Sequence, residues 1–365
     1  ALGWSRQETL YRAMVLLVVA SPCALVASIM PATLSAISNG ARHGILFKGG
    51  VHLEKLAKLE AIAFDKTGTL TKGTPQVTDV YAREDLDEGD LLRNVAAIER
   101  YSNHPLAAAI VRAAETRGAE LPRAVNMEDI AGLGIQAEVS GVTWKVGKAD
   151  FVGRADAESF RDRIGARLEE QGKTIVYVRD DQGIAGVIAL KDVIREESVS
   201  AIRKLRNAGI HTMMITGDSR STAAAIALES GIDGYAAECL PEDKVAEIKK
   251  LKERYRSVAM VGDGINDAPA LATADVGVAM GEGTDVAMQT ADVILVKNDL
   301  EKLAYAITLS KRMNRIVKQN IVFSIAVIIL LILSNFMQSL ALPFGVIGHE
   351  GSTILVILNG LRLLR

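Results

Sequence analysis

Three long apolar runs bracket a charged middle. Residues 13–37 are almost free of charge and long enough to cross a bilayer. Residues 321–342 form a second such run, and 344–361 a third that follows closely, so the last two predict a helical hairpin. Between them lie short apolar runs that stop at small or acidic turns. Ala61-Ile62-Ala63-Phe64 leads into Asp65, Met213-Met214-Ile215 into Thr216-Gly217-Asp218, and Val258-Ala259-Met260-Val261 into Gly262-Asp263-Gly264. Runs of this length bounded by turn residues predict buried strands of an open α/β sheet. From Thr74 to about Ile184 the pattern changes to helical stretches followed by short strands such as Ile175–Val178. The expectation is an α/β domain over 49–74 and 185–305, an α+β domain inserted at 75–184, and membrane helices at 1–48 and 306–365.

Composition adds little to that division. The 365 residues carry a net charge of −2, which excludes a bulk preference for nucleic acid, and 4% aromatics argue against a stacking platform for single strands. Two cysteines exclude a disulfide scaffold. The first apolar run is too long for a signal peptide and lacks a basic flank before it. Charge does fix an orientation. Arg42, His43 and Lys48 follow the first run, Lys311, Arg312, Arg315 and Lys318 precede the second, and Arg362 and Arg365 follow the third. All belong on the cytoplasmic side, together with the α/β domain, so one multi-pass topology in a bacterial plasma membrane satisfies every span.

Two membrane runs carry chemistry. Ser21-Pro22-Cys23 interrupts the first, where the proline frees carbonyls by removing a helical N–H. Broken helices at membrane depth line sites more often than they face lipid. The third run holds His349-Glu350-Gly351-Ser352-Thr353, and ionisable residues in an apolar helix are costly enough to suggest a role. His349 and Thr353, four apart, share a helical face, while Glu350 stands about a third of a turn away.

The soluble motifs converge on phosphate. Asp65-Lys66-Thr67-Gly68-Thr69 places a carboxylate at a strand tip before a glycine-containing turn, the position where open α/β sheets bind ligands. Asp65 there is a candidate nucleophile that takes a phosphoryl group. Bringing two anions together needs a hard divalent cation and a fixed positive charge. Asp263 with Asp65 is the natural Mg²⁺ pair, Asp267 a support, Lys244 of Leu240-Pro241-Glu242-Asp243-Lys244 the fixed charge, and Thr216 a hydrogen-bond partner for a phosphoryl oxygen.

Taken together, these strings resemble the haloacid-dehalogenase fold and, more narrowly, the phosphorylation domain of P-type ATPases, over nearly the whole chain from about Leu10. The resemblance implies ATP and Mg²⁺ as cofactors, with Thr67 joining Asp65 and Asp263 around the Mg²⁺. In simple phosphatases of that fold a second Asp stands where Thr67 is found here and acts as acid and base. Its loss implies a slowly hydrolysed aspartyl phosphate. Glu99, His104-Pro105 and Gly132-Leu133-Gly134 resemble the adenine pocket of the heavy-metal pumps. Gly147 matches a further glycine of it, although Lys148 stands where Asn is common. Ser-Pro-Cys with His-Glu-Gly-Ser-Thr resembles the branch associated with cobalt, and variably with zinc, nickel or iron, save that Ser352 replaces a glycine.

The transported-metal ligands implied are Cys23, His349, Glu350 and Thr353, with Ser21 as a weaker member. One thiolate among nitrogen and oxygen donors suits a borderline divalent ion better than Cu⁺. The expectation is therefore ATP-driven export of Co²⁺ first, with Zn²⁺, Ni²⁺ or Fe²⁺ next and a zinc/cadmium pump as the alternative. A membrane-anchored phosphatase and a nucleotide-responsive sensor are the competing classes. The actuator domain with its Thr-Gly-Glu loop and the preceding helices are not recognisable, so they are expected as partners from the rest of a longer pump.

Overall fold

The computed structural model describes residues 5–102, 104–130, 133–337 and 339–365. Its centre is a seven-stranded sheet in the order Ile45–Phe47, Val293–Leu295, Val276–Met280, Val258–Gly262, Ala61–Asp65, His211–Ile215, Gly234–Ala236. All neighbours are parallel except the first pair. The three central strands read as continuous apolar runs because helices cover both faces. Phe64, Met214, Val261 and Val278 fill one face with Leu53, Ile202 and Leu303, while Ala63, Ile215 and Met260 pack with Ile248 and Leu271 on the other.

Chain order sets the site. From Ala61–Asp65 the chain moves outward through His211–Ile215 to Gly234–Ala236, then returns to the other side as Val258–Gly262. The reversal opens a crevice between the ends of these two strands. Asp65 and Asp263 stand on its two lips.

A second, six-stranded antiparallel sheet runs Thr71–Ala82, Gly183–Ile194, Thr174–Asp180, Val142–Gly147, Gly134–Val139, Ala124–Ile130. Helices Glu88–Glu99 and Pro105–Thr116 bury Leu91, Val95, Ile98 and Ile110 against Trp144, Val146 and Val178. The boundaries expected at 74/75 and 184/185 fall inside two paired strands. Thr71 already pairs with Ile194, so the insertion leaves the parallel sheet as a two-stranded ribbon rather than as loops.

Three segments are long and apolar enough to cross a membrane: Arg6–Arg42, Glu301–Phe336 and Leu342–Leu364. The first is two helices, Arg6–Val19 and Cys23–Arg42, with Pro22 capping the second. The hairpin turn comes earlier than the apolar pattern suggests. The long helix ends at Phe336 and the next begins at Leu342, where Pro343 occupies the first turn, a position that suits proline's fixed φ and missing N–H. The 36-residue helix Glu301–Phe336 buries Leu303, Ala306, Ile307 and Met313 in the core of the parallel sheet before it reaches the apolar zone. One rigid element thus belongs to both regions.

Candidate phosphoryl-transfer and metal sites

Asp65 ends its strand in the extended conformation, and the turn after it bends back through Gly68 at φ 71°. A Cβ on Gly68 would collide with the Asp263 carboxylate, so glycine lets the Asp65 turn close over the neighbouring strand end. Pro241 opens the helix Pro241–Arg254, and the Asp243 carboxylate accepts the Leu240 N–H at 2.9 Å. That start aims Lys244 inward. Its Nζ donates to Asp65 Oδ1 at 2.6 Å and to Asp267 Oδ1 at 2.7 Å, with all three side chains buried. The other Asp267 oxygen accepts the Gly264 N–H at 3.1 Å.

Carboxylate oxygens of Asp65, Asp263 and Asp267 lie within 4.8 Å of one another. One lysine does not neutralise three acids. Burial and the Asp267 charge push Asp65 up to about 7, against the pull of Lys244. Burial and Asp267 also raise Asp263. Burial draws Lys244 down, but Asp65 and Asp267 outweigh it and hold it above its ordinary value. A crowded, oxygen-only, acid-rich crevice fits a small hard cation such as Mg²⁺.

Thr216 follows the strand residue paired with Asp65 and is buried, its Oγ1 accepting the Asp218 N–H at 3.2 Å. Its hydroxyl hydrogen is left to donate. Thr67 is exposed at the mouth of the crevice. Two contacts were invisible in the sequence. Lys66 Nζ lies 2.6 Å from Asp218, tying the Asp65 turn to the Thr216 turn. Thr71 Oγ1 donates to Asp192 at 2.5 Å across the ribbon. Both join residues more than a hundred positions apart, and no local spacing signals them.

In the inserted domain, a cleft of about 650 Å³ is lined by Glu99, Ser102, His104, Gly134, Gly147 and Lys148, among others. Its size is in the range of small-molecule sites. Gly132 lies outside the described residues. Gly134 and Gly147 face each other across paired strands, and a Cβ on either would strike the other's backbone. His104 Nδ1 accepts the Leu106 N–H at 3.2 Å, so His104 also caps the helix that follows it. Burial, then Asp129, pushes Glu99 up to about 7.

That shift has a checkable consequence. Folded Glu99 keeps its proton to higher pH than the unfolded chain. Stability from this group is therefore complete below about pH 4.5 and is lost as pH rises through about 7. Glu99→Gln is expected to flatten this dependence, with a gain over wild type of up to ~3 kcal/mol at pH 8 that vanishes in acid. Thermal denaturation of both proteins across pH checks it; parallel pH curves would refute the assignment.

The membrane residues behave differently. Ser21 Oγ and Cys23 Sγ are 2.9 Å apart at the helix break, and Cys23 is exposed. His349 is buried, and among the described residues neither of its ring nitrogens is hydrogen-bonded. Its carbonyl accepts from Ser352 Oγ at 2.7 Å and Thr353 Oγ1 at 3.2 Å. Glu350 faces outward, because adjacent helical residues are about 100° apart. Among the described residues, the Asp65 group is the one set of three or more His, Cys, Asp or Glu side chains close enough to hold an ion together. Of the five membrane residues expected as ligands, Cys23, His349 and Glu350 do not form such a group of three.

Residues 59–275 match the model of the haloacid dehalogenase-like hydrolases. The chain is 60% identical over 365 residues to a zinc-transporting ATPase of Bacillus subtilis (strain 168), covering all of this chain and 57% of that protein. It is 43% identical to a probable cadmium-transporting ATPase of Staphylococcus aureus (strain MRSA252), covering 100% and 51%. The chain thus spans about half the length of these curated relatives. A crystal structure of a zinc-transporting PIB-type ATPase in the E2.Pi state superposes with a TM-score of 0.94 at 40% identity, over 99% of this chain and 59% of that one. The catalytic domain of the CPx-ATPase CopB-B, 96% covered by this chain at 32% identity, gives 0.59. With its strand-end aspartates, inserted domain and membrane helices, the chain belongs to the haloacid dehalogenase-like hydrolases and, within them, to the heavy-metal P-type ATPases.

Proposed function

We propose that this chain is the catalytic and membrane-gating part of an ATP-driven exporter of a divalent transition metal, Zn²⁺ or Cd²⁺. The observation that carries the chemistry is Lys244 bridging Asp65 and Asp267 in a crevice with Asp263. Asp65 attacks the γ-phosphorus of ATP held in the Glu99/His104 cleft; the Asp65–phosphorus bond forms as the bond to ADP breaks. Lys244 and the Thr216 hydroxyl stabilise the transferring oxygens. Asp65, Asp263 and Thr67 would hold Mg²⁺, which would supply further charge neutralisation, and Asp267 orients Lys244. Thr67, in place of an acid, leaves the phosphoenzyme long-lived.

In the membrane, Cys23 and His349 are the proposed principal ligands of the cargo, with Ser21 and Thr353 beside them and Glu350 as a proton or charge partner. The buried imidazole of His349 supports this, since an arriving cation would satisfy a nitrogen that has no partner among the described residues.

The cobalt-first expectation is set aside. Relatives at 60% and 43% identity over the whole chain are named for zinc and cadmium. One thiolate with imidazole and oxygens cannot separate Co²⁺ from Zn²⁺ by donor type, because both are borderline ions. The test is ATPase activity of the full-length pump against Zn²⁺, Cd²⁺, Co²⁺, Ni²⁺ and Cu⁺. Strongest stimulation by Zn²⁺ or Cd²⁺ is expected; strongest stimulation by Cu⁺ or Co²⁺ would overturn the assignment.

A further inference from the structure

The helix Glu301–Phe336 has one acidic residue, Glu301, and five cations, Lys302 beside it at the start and Lys311, Arg312, Arg315 and Lys318 at its middle. Its last eighteen residues, 319–336, span ~27 Å, about the thickness of a bilayer's hydrocarbon core. Lys318 and Arg315 therefore sit at headgroup level and Lys311 at its outer edge. Arg312 turns toward the chain's end and donates to the Arg362 and Arg365 carbonyls. Lys311, Arg315 and Lys318 are exposed, and among the described residues none of them forms an ion pair.

These three cations line one groove of about 710 Å³ with Val322, Phe323 and Ala326, walled by Ala57 of the helix Gly50–Ala57. Val322 is 68% and Phe323 41% exposed. The polar lining lies at the depth of phosphates and the apolar lining one to two turns deeper. The groove also shares Lys311 and Arg315 with an adjoining cleft of about 740 Å³ that adds Lys204 and Lys302. The one acid there, Glu301, is already bound by Lys204 at 2.8 Å.

We propose that this groove binds an anionic phospholipid of the cytoplasmic leaflet, its phosphate among Lys311, Arg315 and Lys318 and an acyl chain along Val322, Phe323 and Ala326. A soluble anion would leave the apolar half unfilled, and a neutral lipid would leave three cations without a counter-charge. The helix joins the parallel-sheet core to the membrane, so the lipid would brace the element that belongs to both. The inference depends on the helix spanning the membrane, not on which metal is carried.

The test uses the full-length pump carrying Phe323→Trp, reconstituted in phosphatidylcholine vesicles containing either brominated phosphatidylglycerol or brominated phosphatidylcholine at equal mole fraction. The same protein with Phe323 intact subtracts native tryptophan signal. Quenching by the anionic lipid is expected to exceed that by the neutral one by at least about five-fold. Lys311→Gln/Arg315→Gln/Lys318→Gln should bring the ratio to about one, whereas Lys311→Arg/Arg315→Lys/Lys318→Arg should keep it. Millimolar inorganic phosphate should not compete. Equal quenching in the parent, a ratio unchanged by the glutamine variant, or competition by phosphate would overturn the proposal. So would absence of quenching by either lipid, which would mean that protein from the rest of the pump fills the groove.

Discussion

Lys244→Met is expected to slow phosphoenzyme formation from ATP by roughly a hundred- to a thousand-fold, the usual scale for removing one preorganised charge from a transition state. Methionine nearly preserves the volume of a buried side chain and removes only the cation. Lys244 lies within 2.7 Å of both Asp65 and Asp267 and is the group that opposes the upward push on Asp65. Without it Asp65 holds its proton to still higher pH, and a protonated carboxyl is a poor nucleophile. The rate loss should therefore be largest at low pH and shrink as pH rises. Rapid-quench measurement with radiolabelled ATP checks both points. ATP affinity of the inserted domain serves as the folding control, because its cleft is built on the other sheet. A rate within three-fold of wild type would remove Lys244 from the reaction.

Metal-stimulated ATPase activity should fall to background in Cys23→Ser and in His349→Ala. The two residues stand on different helices, Cys23–Arg42 and Leu342–Leu361, so loss in both argues for a shared ion rather than a local defect. His349 offers a second readout. A buried imidazole with no partner costs about 1–3 kcal/mol. His349→Leu should thus stabilise the metal-free pump by about that amount while abolishing the protection that Zn²⁺ gives against unfolding. Wild-type stimulation in both activity variants would sink the cargo site. A destabilised metal-free His349→Leu would show that the ring is satisfied in the intact pump.

Much of this was legible because buried parallel strands leave a plain mark. Ala61–Phe64 and Val258–Val261 are unbroken apolar runs, the first followed directly by Asp65 and the second, after Gly262, by Asp263. The membrane helices were equally plain, since length and apolarity decide them. What the sequence did not show was pairing at a distance. Lys66 with Asp218 and Thr71 with Asp192 arise only when strands far apart in the chain become neighbours. The ribbon leaves no plain mark for a related reason: Thr71–Ala82 alternates polar and apolar weakly, so its strand extends past the point where the composition changes. The hairpin turn lies earlier than hydropathy alone indicates because Leu340-Ala341-Leu342 extends the apolar run past Gln338 and Ser339, while Pro343 starts the next helix there. In the membrane, helical spacing already sets Glu350 apart from His349 and Thr353, and the helix turns His349 inward and Glu350 outward. The metal itself was read from motif resemblance, and donor chemistry alone has too little resolution to choose among borderline ions.

The most direct measurement is of the covalent intermediate. Full-length pump is mixed with radiolabelled ATP, Mg²⁺ and Zn²⁺, quenched in acid, and treated with hydroxylamine. An acid-stable, hydroxylamine-labile label that requires Zn²⁺ and disappears in Asp65→Asn is the expected result. Label that persists in Asp65→Asn, or wild-type protein that turns over ATP without ever becoming labelled, would contradict the account.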